Sequence, residues 1–405
     1  MMEFPKDFLW GAATSAYQVE GDNSFSDWWE WEKRLNTKHS SGRAARHYEF
    51  FAQDFDLAKE LNHNCHRISI EWARIEPEEG KFSQRELDHY KQVILALKER
   101  SLIPIVTLHH FTNPIWFAKI GAWRNKDAVK FFLRYVEKIV ELLSPDVPFW
   151  VTINEPMVYT YFSYLLGIWP PQDKSLLHAK QVIDNLAGTH IKAYHLIRGI
   201  YKKNNLEFPK ISITQNMQAF VPCIPTLRNK IAAYFRHKYY NLDFIERLVA
   251  KHALDFIGIN YYSPSWVELQ GWGVSNFTSD VCKKNHRNLR KNSMGWDIYP
   301  QGLYDLLLSL KKYNLPVFIL ENGICTDNDQ LRWDYIAEHL ESVNKAITSG
   351  VKVMGYVYWS LLDNYEWDKG FAPRFGLVEV DYDTYKRTVR ESARKFSTVC
   401  KTGKL

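Results

Sequence analysis

Two acidic residues stand where apolar runs end. In Trp150-Val-Thr-Ile-Asn-Glu-Pro156 the stretch Val151 to Asn154 suits a buried strand, and Glu155 follows it. Pro156 must stop that strand, because it has no N–H to give a ladder. Pro316-Val-Phe-Ile-Leu-Glu-Asn-Gly323 has the same form: an apolar run, then Glu321, then a turn at Gly323. A single Glu in such a place reads as a solvated loop carboxylate. Two of them fit paired work on a glycosidic bond, one as proton donor and the other as nucleophile.

Such acids need a scaffold that brings strand ends together. Apolar runs predict eight strands: one from Phe8 into a loop carrying Gln18, then Cys65 to Trp72, Leu102 to Leu108, the run into Glu155, Lys210 to Thr214, Asp255 to Tyr262, the run into Glu321, and Val351 to Trp359. Helical spacing of apolar residues fills the intervals, at 47–62, around Leu87 to Leu97, and at 126–143, 177–203, 229–252, 301–313 and 330–349. A last helix is expected over 384–398, with Asp383 as its N-cap. Asp27-Trp-Trp-Glu-Trp31 and residues 263–298 read as loops. Strands alternating with helices predict an α/β fold, a single (β/α)8 TIM barrel over residues 1–405 whose strand ends carry the chemistry. Arg67, inside the second strand, calls for a buried acid partner.

Composition narrows the function. The net charge is +6, from 52 basic and 46 acidic residues, and the densest basic run, Lys283-Lys284-Asn-His286-Arg287, reads as a solvated loop. With no basic face and no signature motif, a nucleic-acid partner is not expected. No apolar run approaches the roughly 20 residues needed to cross a bilayer, so no membrane partner is expected. The first residues mix charges, unlike a signal peptide, and a cytoplasmic enzyme is expected. Cys65, Cys223, Cys282, Cys325 and Cys400 are scattered without a CxxC pair, so neither a disulfide framework nor a zinc site is expected. His178, His190 and His195 share one helix without an HExxH spacing; they read as ordinary helix residues, and no metal or cofactor is expected. Gly271-Trp-Gly273 lacks the third glycine of a dinucleotide fingerprint. Aromatic residues make up 15% of the chain, enough for some rings to line a site where sugar C–H faces stack.

The motifs Trp150-Val-Thr-Ile-Asn-Glu-Pro156 and Ile319-Leu-Glu-Asn-Gly323, in that order and 166 residues apart from Glu155 to Glu321, resemble the acid/base and nucleophile motifs of glycoside hydrolase family 1. These are retaining β-glycosidases on a (β/α)8 barrel, with carboxylates after strands four and seven. The resemblance runs from Phe8-Leu-Trp-Gly11 to Val380-Asp-Tyr382. It implies that Glu155 is the general acid/base and Glu321 the nucleophile. Arg67 and Tyr262 would hold Glu321 ionised, and Asn154 would grip the sugar 2-hydroxyl. Gln18, His110, Glu366 and Trp367 would bond the other hydroxyls, over a floor made by Trp359. Asn216 and Trp296 would reach the aglycone side. The implied partner is a small-molecule β-glycoside or oligosaccharide with a glucosyl, galactosyl or fucosyl end; the oligomeric state stays open.

Three departures stand out. Phe111 follows His110 where many members carry Trp, the chain is shorter than the family's common length, and the stretch from Trp169 to Leu177 is compact. The shortness implies a more open aglycone side. A 6-phospho-β-glycosidase is one alternative, but Pro373-Arg374-Phe375-Gly376 lacks the Lys and Tyr that would flank a phosphate-binding Arg. A non-catalytic sugar-binding barrel is another; such proteins typically lose one of the two acids, and both are present here.

Overall fold

In the computed structural model, which describes residues 2–35, 40–269 and 289–405, eight parallel strands close into a barrel. They are β1 (Leu9–Ala13), β2 (Cys65–Ser69), β3 (Ile103–Thr107), β4 (Phe149–Asn154), β5 (Lys210–Asn216), β6 (Ile257–Tyr261), β7 (Val317–Asn322) and β8 (Val353–Trp359). Each pairs with its neighbours in chain order, and β8 returns to β1. These strands are largely buried on both faces, which is why β3 and β7 read as continuous apolar runs instead of alternating ones.

Helices cover the outside: α1 (His47–Glu60), α2 (Gln84–Glu99), α3 (Ala128–Leu143), α4 (Leu176–Lys203), α5 (Asp243–Val249), α6 (Pro300–Leu310), α7 (Asp329–Thr348) and α8 (Glu391–Thr402). In α3 the buried residues Phe132, Val136, Ile139 and Leu143 recur every three or four positions and form its inner face. Ser83, Ser175 and Asn328 cap α2, α4 and α7 by accepting backbone N–H groups. His190 of α4 is buried between Thr152 Oγ1 and the Ala253 carbonyl, at 2.6 Å from each, a structural role.

The register slips at the carboxyl end of the barrel. Irregularities fall between Val151 and Asn154, between Ile259 and Asn260, and between Tyr356 and Tyr358. Such bulges turn side chains away from strict alternation. After the second slip Asn260 sits opposite Glu321.

Several expectations are corrected. Gln18 lies in a short helix, Ala16–Val19, and Asp27–Leu35 is a helix, not a loop. The second strand ends at Ser69, because the Glu71 side chain caps a helical turn over Trp72–Ile75. The last helix starts at Glu391, not near 384. Residues Arg387–Val389 instead pair antiparallel with Val378–Val380, and Asp381 accepts the N–H groups of Asp383 and Thr384 in the intervening turn. Within the supposed loop 263–298, Pro264–Val267 is a strand alongside Ala219–Pro222. Cys223 is disulfide-bonded, contrary to the expectation of none, since close approach in space needs no CxxC spacing. Cys65, Cys325 and Cys400 are free. The runs Gly271–Gly273 and Lys283–Arg287, and Cys282, lie outside the described residues.

Candidate active site

Glu155 is placed by an abrupt change of direction. Its backbone takes the left-handed conformation, φ 45° and ψ 59°, and its N–H donates to the Thr214 carbonyl at 2.7 Å. Pro156 then opens the helix Pro156–Thr160, where its fixed φ suits the first position. A non-glycine residue in this region costs on the order of 1–3 kcal/mol, the kind of strain that collects at functional sites. The turn aims the carboxyl into a cavity of about 1210 Å³.

Asn216 Nδ2 donates to Glu155 Oε1 at 3.0 Å, and Asn260 Nδ2 donates to the same oxygen at 2.7 Å. With Oε1 accepting twice, a proton on this carboxyl belongs on Oε2. Burial, and next the charge of Glu321, push the Glu155 pKa up to about 8, against the pull of Asn260, Asn216 and Arg67. Glu155 is therefore neutral at pH 7 and able to donate.

Glu321 has the opposite surroundings. Oε1 is paired with Arg67, and Oε2 accepts from the Tyr262 hydroxyl at 2.5 Å. Burial and the nearby acids keep the Tyr262 phenol protonated, its pKa well above the ordinary value, so it remains a donor. Arg67 is buried and fully engaged: it also donates to Thr107 Oγ1 at 3.0 Å and to Asn154 Oδ1 at 2.6 Å. The acid partner that its place in a strand demanded is Glu321.

The remaining expected residues line the same cavity: Gln18, His110, Asn154, Asn216, Tyr262, Trp296, Trp359, Glu366 and Trp367. Only Arg67 lies beneath it. Asn154 Nδ2 faces His110 Nε2 at 3.2 Å. His110, kept neutral by burial and then by Arg67, lies nearly parallel to Trp359 at 5.9 Å and to Trp367 at 6.0 Å. Gln18 Nε2 donates to Asn364 Oδ1 at 3.0 Å and Glu366 Oε2 at 3.2 Å, joining the β1 and β8 loops. Burial, and then Glu321, push the Glu366 pKa up to about 8. Trp296 packs on Tyr262 and Phe375 at the cavity wall. Phe111 fills the space between Trp367 and Trp169, with ring centroids 5.2 Å from each.

Sequence reasoning missed Asn260 and gave Asn216 only an aglycone-side place, although both touch Glu155. The signal for Asn260 was a polar residue at the end of an apolar strand, two positions before Tyr262. It also missed the anchor of the His110 loop, where Asp27 accepts from Asn113 N and Nδ2, each at 2.9 Å. Among the described residues, no group of three His, Cys, Asp or Glu side chains is gathered to hold a metal ion. No described helix is long and apolar enough to cross a membrane.

The sequence profile of Glycosyl hydrolase family 1 matches residues 1–253 and 245–405. A 1,4-beta-D-glucan glucohydrolase of Thermotoga neapolitana is 33% identical over 452 aligned positions, covering 100% of both chains. A beta-glycosidase from Pyrococcus horikoshii superposes with a TM-score of 0.91 at 38% identity, over 100% of this chain and 96% of its own. A beta-glucosidase from Thermotoga maritima in complex with glucoimidazole gives 0.91 at 31% identity, over 100% of both. With two differently tuned carboxyl groups at the ends of β4 and β7 of an eight-stranded barrel, the chain belongs to glycosyl hydrolase family 1, the retaining β-glycosidases.

Proposed function

We propose that the enzyme removes terminal β-D-glucosyl residues, and β-D-galactosyl and β-D-fucosyl residues as well, with Glu321 as nucleophile and Glu155 as acid/base. The observation that carries this reading is the contrast between the two carboxyls. One is neutral and held by amide donors; the other is clamped by Arg67 and Tyr262. In the first step a Glu321 oxygen bonds to C1 while the C1–O bond to the aglycone breaks. The leaving oxygen takes the bonding pair and the Glu155 proton. Esterification removes the Glu321 charge that helped to raise the Glu155 pKa, so Glu155 then acts as base toward water. Water attacks C1, gives its proton to Glu155 and releases Glu321.

Asn154, next to both Arg67 and His110, is suited to hold the 2-hydroxyl. Glu366 and Gln18 offer acceptors and donors for hydroxyls farther round the ring. The Glu366 carboxyl can accept through its carbonyl oxygen from an equatorial or an axial 4-hydroxyl, which is the basis for including galactosides. Against a 6-phosphate, Arg374 is already bound to Asp363 Oδ2 at 3.3 Å and to the Val380 carbonyl at 3.0 Å. The reading includes action in the cytoplasm. Three free thiols support that location, and the disulfide at Cys223 argues against it.

Nitrophenyl β-D-glucoside, galactoside, fucoside, mannoside and 6-phosphoglucoside, assayed side by side, test this proposal. Turnover of the first three is expected, with glucoside and galactoside within about 10–100-fold of each other in kcat/KM. Activity confined to the 6-phosphoglucoside would contradict it.

A further inference from the structure

The strand that carries the nucleophile has a polar cluster on its far side that the chemistry above does not use. Successive side chains of a strand point to opposite faces. Glu321 lines the cavity, and Asn322, the next residue of β7, is buried on the side away from it, against α7. Its amide is fully engaged. Nδ2 donates to the Tyr261 carbonyl at 2.6 Å and to the Tyr335 hydroxyl at 2.9 Å, and Oδ1 accepts from the Tyr356 hydroxyl at 2.7 Å. One side chain thus ties β6, β8 and α7 to the end of β7. It does so where register slips interrupt the ladders on both sides of β7, between Ile259 and Asn260 and between Tyr356 and Tyr358.

Tyr335 reaches further. Its hydroxyl accepts from Asn322 and has one proton to give, which goes to the Tyr262 carbonyl at 3.3 Å. Tyr262 is the residue whose phenol donates to Glu321 Oε2 at 2.5 Å. A single hydroxyl therefore stands between the residue next to the nucleophile and the residue that donates to it. Burial, and next the neighbouring Tyr358, hold the Tyr335 pKa well above the ordinary value, so it stays a donor. The ring is fixed from its own helix. It stacks on His339 with centroids 3.8 Å apart, and the Tyr335 carbonyl faces His339 Nδ1 at 2.7 Å. Arg332, one turn earlier on α7, donates to the carbonyls of Ile324 at 3.0 Å and Phe375 at 3.3 Å, in the loops after β7 and β8.

We infer that Tyr335 is a positioning residue for the nucleophile. Its hydroxyl sets the spacing between the end of β6, which leads into Tyr262, and the end of β7, which carries Glu321. The phenol and the carboxyl then meet in one geometry as C1 is attacked. The inference rests on the glycosidase reading above, and Tyr335 acts through Tyr262, not on the sugar.

The test is a double-mutant cycle of Tyr335→Phe with Tyr262→Phe, read as the pre-steady-state glycosylation rate and KM on nitrophenyl β-D-glucoside. Tyr335→Phe keeps the ring and its stacking and removes only the hydroxyl. It should lower the glycosylation rate about 5- to 20-fold and leave KM within about 2-fold. In the Tyr262→Phe background the same change should cost less than about 2-fold, because the residue it acts through has lost its phenol. Tyr356→Phe takes an equally buried hydroxyl from Asn322 without touching Tyr262, and should leave the glycosylation rate within about 3-fold. An unchanged rate in Tyr335→Phe, an undiminished loss in the Tyr262→Phe background, or an equal loss in Tyr356→Phe would overturn the inference. A second measurement needs no variant: in a crystal structure of the wild type trapped as its 2-deoxy-2-fluoroglucosyl ester, the Tyr335 hydroxyl should lie within about 3.5 Å of the Tyr262 carbonyl. A hydroxyl turned elsewhere would overturn the inference even if Tyr335→Phe failed to fold. If the wild type were inert on nitrophenyl glucoside, the glycosidase reading would fall, and this inference with it; an active wild type with an additive cycle would sink this inference alone.

Discussion

At the scale of single residues, Glu155 and Glu321 are the same side chain under opposite instructions. Burial and a neighbouring charge keep a proton on one, against the pull of its amide donors; a guanidinium and a phenol clamp the other. The first chemical step needs protonated Glu155, so the sign of the pH effect is fixed. Raising pH through about 8 removes the donor, and kcat/KM should fall on that basic limb. In Glu155→Ala that limb should shrink to the part carried by Glu366, whose pKa is also raised to about 8. Glycosylation rates should drop by about 10²–10⁴-fold for alkyl glucosides and far less for dinitrophenyl glucoside, whose leaving group needs little protonation. Equal losses on both substrates, measured by pre-steady-state kinetics, would remove Glu155 from the acid role. Both acids, Arg67, Asn154 and Tyr262 could be read from residue type and motif. Asn260 showed only as a polar residue at a strand end; its contact with Glu155 comes from a register slip that only the folded sheet creates.

At the scale of elements, the site depends on loops from distant parts of the chain meeting above the barrel. Gln18 follows β1 and Glu366 follows β8, and their 3.2 Å contact joins those loops beside the space proposed for the hydroxyls farther round the ring. Glu366→Ser should weaken glucoside and galactoside turnover alike, by about 10–100-fold in kcat/KM, since a buried hydroxyl left unpaired costs roughly 1–3 kcal/mol. A variant that lost only one of the two sugars would refute a shared role for Glu366. Strands such as β3, β4 and β7 were legible because each is a largely apolar run closed by a turn residue or a charge. The last helix was not. Asp383 offers a local cap signal, but antiparallel pairing of Arg387–Val389 with Val378–Val380 delays the helix to Glu391. A pairing between segments outweighs a one-residue preference.

At the scale of the whole molecule, chemistry and stability sit at opposite ends of the barrel. The carboxyl ends of the strands carry the acids. At the other end the chain termini pair: Phe4 N donates to the Gly403 carbonyl at 2.9 Å, and Leu405 N to the Met2 carbonyl at 3.0 Å. Above that seam Phe396 of α8, fully buried, packs on Trp10, His63 and Tyr356. We propose that residues 1–405 form one cooperative unit closed by this contact. Phe396→Ala should cost about 3–5 kcal/mol in denaturant unfolding and leave kcat/KM within about 2-fold. A large loss of activity in a variant still folded at the assay temperature would contradict that division. The alternation of strands and helices showed in sequence that a barrel forms. The seam joining its ends did not, because it lies between residues nearly 400 positions apart.

In the proposed mechanism Glu321 makes the bond to C1. Glu321→Gly removes that oxygen and opens space beside Arg67 and Tyr262, where azide can enter from the nucleophile's side. The folded variant should be inactive on nitrophenyl β-D-glucoside and regain turnover with sodium azide. The product should be α-glucosyl azide, inverted at C1, since one displacement replaces two. A folded variant that azide did not rescue, or a β-configured product, would contradict the account.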